Sequence, residues 1–195
     1  MRQVPIGKIL EGKHTDKQVM VRGWVYRKRE SKDITFILMR DATGVIQCTI
    51  KKDTAAWKEA EAVTIESSAT LSGTVREDKR APGGYEIKGD KLSILGLAEI
   101  FPISKDFDEG FLRDIRHLWL RSRRMNLVMR IRDETLWSIH ELFRKKGFIE
   151  VSPPMFITSA VEGGSTLFGL KYLDQDLYLT QSAQLYLEAL VYSLE

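Results

Sequence analysis

Apolar and polar positions alternate from residue 19 to 26, with Val19, Val21, Gly23 and Val25 on one side and Met20, Arg22, Trp24 and Tyr26 on the other. A period of two marks a strand with one face buried. Arg27-Lys28-Arg29-Glu30-Ser31-Lys32-Asp33 interrupts the pattern and reads as a polar, basic turn. A second strand is expected over residues 34–40 and a third over 45–50. Only Asp41-Ala42-Thr43-Gly44 lies between them, which makes the pair a hairpin. Asp53 or Thr54 caps a helix ending near Ala62, and a fourth strand covers residues 68–75. The charged loop 76–84 closes on Pro82-Gly83-Gly84, a strong breaker, and residues 85–88 and 92–97 complete the sheet.

Three strands, a helix and then further strands within about a hundred residues match a five-stranded OB-fold barrel, whose open face binds oligonucleotides. Such a face reads single-stranded nucleic acid by stacking bases on aromatic rings in a basic groove. Phe36 lies in the second strand, near Arg22, Arg27, Lys28, Arg29 and Lys32 in sequence. Gln47 lies across the hairpin in the third strand. A ring beside an amide suits the reading of one splayed base. Periodicity alone leaves Phe36 open as a core side chain, and the basic run open as a solvated turn.

The pattern then changes. Residues 99–124, which include FPISKDFDEGFLRDIRHLWLRSRR, hold no single period and read as a hinge with a short helical turn. Residues 125–146 carry Val128, Ile131, Ile139 and Leu142 at helical spacing, with Lys145 and Lys146 at the end and Gly147 as the stop. A strand is expected over 148–151, ended by Pro153-Pro154. Glu162 is followed by Gly163, Gly164, Ser165 and Thr166, a carboxylate in a backbone able to approach a ligand closely. Residues 177–180 read as a short strand, and Ser182 as the N-cap of a helix that puts Gln184 and Glu188 on one face. On spacing alone the segment reads first as a surface loop before an ordinary helix.

Composition narrows the picture. No apolar run reaches the roughly 20 residues of a membrane span, and the first ten residues lack a signal-peptide core. The single cysteine, Cys48, excludes an internal disulfide framework, offers no zinc site and reads as a small core residue, in keeping with a reducing cytoplasm. Residues 1–98 carry 18 Lys and Arg against 13 Asp and Glu, whereas residues 99–195 carry 12 against 14. A basic first half suggests a polyanionic partner, or surface scatter.

The segment GWVYRKRESKDITFILMRDATGVIQCTI resembles the anticodon-binding domain of class IIb aminoacyl-tRNA synthetases, the aspartyl and asparaginyl enzymes in particular. The resemblance implies anticodon binding by Phe36 through stacking, by Gln47 through base reading and by Arg29 in support. Glu86 would read a neighbouring anticodon base. Arg116-His117-Leu118 is similar to the family's hinge motif. KKGFIEVSPPMF resembles class II motif 1, which builds a homodimer and places its proline at Pro154. EGGSTLF is similar to the mobile amino-acid loop, with Glu162 meeting the α-ammonium and Ser165 nearby. TQSAQLYLE is similar to the amino-acid pocket, with Gln184 and Glu188 in it. Aspartyl enzymes carry a lysine where Leu187 stands here, and a site without that cation suits a neutral amide.

The resemblance is therefore to the asparaginyl-tRNA synthetases. It implies an α+β chain: an OB-fold over 1–98, a hinge over 99–124, and the start of an antiparallel-sheet catalytic domain over 125–195. It also implies asparagine, ATP with Mg²⁺, tRNA(Asn) and a second copy of the chain as partners, in the cytoplasm and without a membrane. Asparagine would become asparaginyl-adenylate and then pass to tRNA. The arginines of motif 2 (F-R-x-E) and motif 3 do not occur in these 195 residues, so no catalytic residue or metal ligand is assigned. The chain reads as a fragment that does not activate asparagine by itself. An aspartyl enzyme of relaxed specificity, and a tRNA-binding protein without catalysis, are the alternatives.

Overall fold

The computed structural model describes residues 3–103, 108–158 and 167–194. The chain divides into two units, Met1–Trp119 and Leu120–Glu195.

In the first unit, strands β1 (Gln18–Glu30), β2 (Ile34–Arg40), β3 (Val45–Lys51), β4 (Ser68–Glu77) and β5 (Tyr85–Gly96) close into a barrel in the order β1-β2-β3-β5-β4. This is the expected five-stranded architecture. The alternation works as the sequence predicts: Thr35, Ile37 and Met39 of β2 point inward, while Ile34, Phe36, Leu38 and Arg40 lie on the outer face, partly covered. Ile46, Cys48 and Ile50 of β3 meet them in the core with Val21, Leu71 and Ile87. Burial pushes the Cys48 thiol well above its ordinary range, and the nearby Glu86 charge adds to the effect.

Three elements differ from expectation. First, β1 does not end at Tyr26. A bulge between Val25 and Arg27 shifts its register, and Arg27, Lys28, Arg29 and Glu30 then pair with Leu38, Ile37, Phe36 and Thr35. The basic run is strand, and only residues 31–33 turn. Second, β5 is one strand rather than two. It pairs with β4 along its length, while Glu86, Ile87 and Lys88 also pair in parallel with Gln47, Cys48 and Thr49, which closes the barrel. Third, helix α2 spans Trp57–Ala62 and has no side-chain cap; the Thr54 hydroxyl donates instead to the Lys51 carbonyl at 2.7 Å.

The N-terminal segment plugs the barrel. Pro5 precedes a helical turn, α1 (Ile6–Lys8), which continues through a wider turn over Ile9–Lys13. Ile6 and Ile9 are fully buried in the barrel core. Asp41 ties this plug to the β2–β3 hairpin: its carboxylate accepts from Ile6 N (2.8 Å), Thr43 N (2.7 Å), Gly44 N (3.0 Å) and the Thr43 hydroxyl (2.6 Å).

Among the described residues one buried side-chain group is unsatisfied. The Thr35 hydroxyl is buried and finds no hydrogen-bond partner. A buried polar group without a bond costs about 1–3 kcal/mol, and valine has nearly the same shape. Thr35→Val is expected to stabilise the barrel by about 1 kcal/mol. A urea midpoint equal to or below that of the parent chain would show that the hydroxyl is satisfied in solution.

After the barrel strands the first unit continues in sequence with α3 (Glu109–Asp114), capped by the Asp108 carboxylate on Phe111 N, and α4 (Arg116–Trp119). The second unit opens with α5 (Arg123–Lys145). Ser122 caps its start by accepting from Met125 N. At its end Gly147, at φ +84°, donates to the Arg144 carbonyl and Phe148 N to that of Phe143. The two rings meet edge-on with centroids 5.2 Å apart, completing a Schellman stop with its hydrophobic contact. The strand expected over 148–151 is absent, because this stop is followed by irregular chain. The first strand of the unit is β6 (Phe156–Ile157), which pairs with β8 (Gln175–Leu179); β8 pairs with β7 (Gly169–Tyr172), giving an antiparallel sheet β6-β8-β7. Helix α6 (Gln184–Leu194) follows. The apolar stripe of α5 stays exposed among the described residues: Val128, Ile131, Ile139 and Leu142 are each about half accessible. No described helix is long and apolar enough to cross a membrane.

Candidate nucleic-acid interface

The barrel register sets the site. Reading across the sheet, Arg29 pairs with Phe36, Phe36 with Thr49, and Thr49 with Lys88. Two residues further along each strand, Arg27 pairs with Leu38, Leu38 with Gln47, and Gln47 with Glu86. Residues two apart on a strand share a face, so these eight side chains occupy two adjacent rows of one surface. Arg29, Phe36, Gln47 and Glu86, spread over nearly sixty positions of sequence, are thereby brought together. Directly opposed residues have Cβ atoms about 4.5–5.5 Å apart, and diagonal ones lie within reach of long side chains. Arg29 thus flanks the Phe36 ring on one side, and Gln47 lies diagonally from it on the other.

Phe36 is an outer-face ring rather than a core side chain, which settles the question its periodicity left open. Arg29 is exposed beside it. Gln47 and Glu86 interact directly: Gln47 Nε2 donates to Glu86 Oε2 at 3.2 Å, and the Thr49 hydroxyl donates to the same oxygen at 2.6 Å. Glu86 is only 7% exposed. The carboxylate is thus engaged with two neighbours on β3. Thr49 was not singled out from sequence, although its spacing of two from Gln47 put it on the same face. Arg27 lies 4.8 Å over the Tyr26 ring and Arg40 5.3 Å from it, so the bulge carries a cation–aromatic cluster at the edge of the surface.

Lys28 is a different case. Its ammonium donates to the carbonyls of Glu61 (2.7 Å) and Val63 (3.0 Å) and pairs with Glu30 at 2.6 Å. It finishes the C-terminal end of α2 and is 13% exposed. A role for it as a free phosphate contact does not fit this placement.

In the second unit, Gln184 and Glu188 do share one face of α6, and Gln184 Nε2 donates to Glu188 Oε1 at 3.0 Å. The Ser182 hydroxyl accepts from Gln184 N at 3.1 Å, in the expected capping manner. Ser182, Gln184, Leu187 and Glu188 line one shallow depression with Val191 and Tyr192. Glu162 and Ser165 lie outside the described residues. Pro154 lies exposed in the irregular chain after α5. Among the described residues no three His, Cys, Asp or Glu side chains converge as a metal set.

Comparison with known proteins is specific for both units. Residues 19–95 match the family model of the OB-fold nucleic acid binding domain, and residues 108–195 match that of the tRNA synthetases class II (D, K and N). Residues 108–195 are thus similar to the class II tRNA synthetases, and residues 19–95 to OB-fold nucleic acid binding domains. It is 48% identical over 181 residues to the asparagine–tRNA ligase of Thermococcus kodakarensis, covering 92% of this chain and 42% of that protein. It is 42% identical over 193 residues to the asparagine–tRNA ligase of Thermoplasma acidophilum, covering 97% and 45%. The crystal structure of asparaginyl-tRNA synthetase from Pyrococcus horikoshii complexed with asparaginyl-adenylate superimposes with a TM-score of 0.90 at 36% identity, over 100% of this chain and 46% of that one. The chain therefore spans less than half the length of the relatives it matches.

Proposed function

We propose that this chain is the anticodon-reading and amino-acid-pocket part of an asparagine–tRNA ligase. The observation that carries this reading is the convergence of Phe36, Arg29, Gln47 and Glu86 on one barrel face in a chain 48% identical to such a ligase. A base of the tRNA(Asn) anticodon stacks on Phe36. Gln47 contacts its edge, and Arg29 holds the adjoining backbone or carbonyl.

In the second unit, the Gln184 amide and Glu188 carboxylate face the asparagine, and Glu162 and Ser165 take part in its recognition. Leu187, beside Gln184 and Glu188, leaves that depression without a lysine for a substrate carboxylate, which favours the neutral side chain. The exposed stripe of α5, with Pro154 after it, forms the homodimer contact. ATP is the co-substrate, with Mg²⁺ neutralising its phosphates. The enzyme acts in the cytoplasm.

The test is binding of the chain to anticodon stem-loops carrying GUU or a changed middle base. Phe36→Ala is expected to weaken binding to the GUU loop by about 1–3 kcal/mol, the value of one base–aromatic stack. Equal, salt-sensitive binding to every loop, unchanged by the substitution, would reduce the face to a non-specific basic surface.

A further inference from the structure

The Gln47 amide is not free to turn. A carboxylate only accepts, so the contact between Gln47 and Glu86 Oε2 requires the Gln47 nitrogen, not its oxygen, to face Glu86. Glu86 is held in turn by the Thr49 hydroxyl, which donates to the same oxygen. The Glu86 carboxylate is nearly fully covered, so water competes poorly for these bonds. The amide therefore presents its oxygen and its second N–H in one fixed order along the sheet face.

Resting on the anticodon-reading proposal above, we infer that Glu86 and Thr49 are positioning residues that set base specificity through Gln47. Neither needs to touch the base. The Watson–Crick edge of uracil places an N3–H donor beside a carbonyl acceptor, and an amide in one orientation matches it with two bonds. Cytosine has an N3 acceptor beside an amino donor, the reverse order, and would need the amide turned over. Guanine, with an N1–H donor beside a carbonyl, shares the order of uracil; adenine, with an N1 acceptor, shares that of cytosine. Thus the Thr49–Glu86–Gln47 chain converts an adaptable side chain into one that separates U and G from C and A.

This indirect role is distinct from the expected contact between Glu86 and a neighbouring base, since Gln47 and Thr49 engage only its Oε2. Selectivity of this kind rests on leaving the wrong base with facing donors or facing acceptors, which is why a locked amide discriminates more than a free one.

The experiment measures binding of the chain to two stem-loops differing only in the middle anticodon base, U or C, with a thermal melt of each variant. In Glu86→Gln the new carboxamide can donate as well as accept, so Gln47 can turn. The U-over-C preference is then expected to fall about tenfold, mostly through tighter C-loop binding, the scale of one base-edge contact. Thr49→Val is expected to move the ratio in the same direction, and Thr49→Ser to return it to the parent value. Unchanged U-to-C ratios in Glu86→Gln and Thr49→Val, with Phe36→Ala still losing the U loop, would overturn the positioning role and leave the anticodon reading standing. An equal loss for both loops would likewise overturn it, since that is the mark of a structural part only. A parent chain that does not distinguish the loops and is indifferent to Phe36→Ala would bring down the anticodon reading itself, and this inference with it.

Discussion

Gly23→Ala is expected to unfold the barrel. Gly23 lies on β1 where that strand passes from β4 to β2, opposite Ala69 on one side and next to the Trp24–Arg40 pair on the other. A Cβ at this position would overlap the Arg40 carbonyl oxygen and lie 2.9 Å from its carbon. The obstacle is backbone at the end of β2, not a flexible side-chain tip, so relief requires moving a paired strand. Overpacking that side chains can absorb costs about 1–3 kcal/mol; here the expected loss is about 4 kcal/mol or more, in the range reserved for a broken packing element. Urea unfolding followed by far-UV circular dichroism measures it. A midpoint close to that of the parent chain would mean that β1 and β2 can separate at this corner without cost.

Asp41→Ala should release the N-terminal plug. The carboxylate gathers three backbone amides and one hydroxyl, from its own turn and from Ile6, 35 residues before it in sequence. Two of the amides and the hydroxyl shape the hairpin turn, and the third begins α1. Water can replace some of these bonds because the site is only partly buried. The expected loss is therefore about 2–3 kcal/mol rather than the full sum of four charge-assisted bonds. The amides of Ile6 and Ile9 should lose protection from hydrogen exchange before those of β3 do, since the plug opens first. Equal protection loss across α1 and β3 would show that plug and barrel unfold as one unit.

Much of the barrel is legible from alternation, because its faces differ in solvent contact. Val19, Val21 and Val25, or Thr35, Ile37 and Met39, mark inward positions directly. The C-terminal end of α5 is equally local: Gly147 acts through backbone groups a few residues away. Ser182 and the Gln184–Glu188 pair were readable for the same reason. Residues 27–30 were not. Four charged residues in a row carry no period, and they are strand because β2 offers a backbone ladder to them. The continuity of β5 likewise depends on β3 and β4, its partners on either side.

The candidate site divides along the same line. Residue types, local spacing and resemblance named Phe36, Gln47, Arg29 and Glu86, since a ring, an amide and charges are the parts that nucleic-acid reading needs. Which face Phe36 occupies was decided by the barrel register. Lys28 looks in sequence like its neighbours Arg27 and Arg29, yet the carbonyl end of α2 claims it, a partner more than thirty residues away. Glu86 reads as one more surface acid until the parallel pairing of β3 and β5 places it against Gln47 and Thr49. The sequence by itself determined the alternating stretches of the barrel strands, the helix ends at Gly147 and Ser182 and the kinds of chemistry available, because those depend on neighbours within a few residues. Only the tertiary structure decided which charges are free and which hold other side chains in place. That depends on long-range pairing, which sets who meets whom across the sheet.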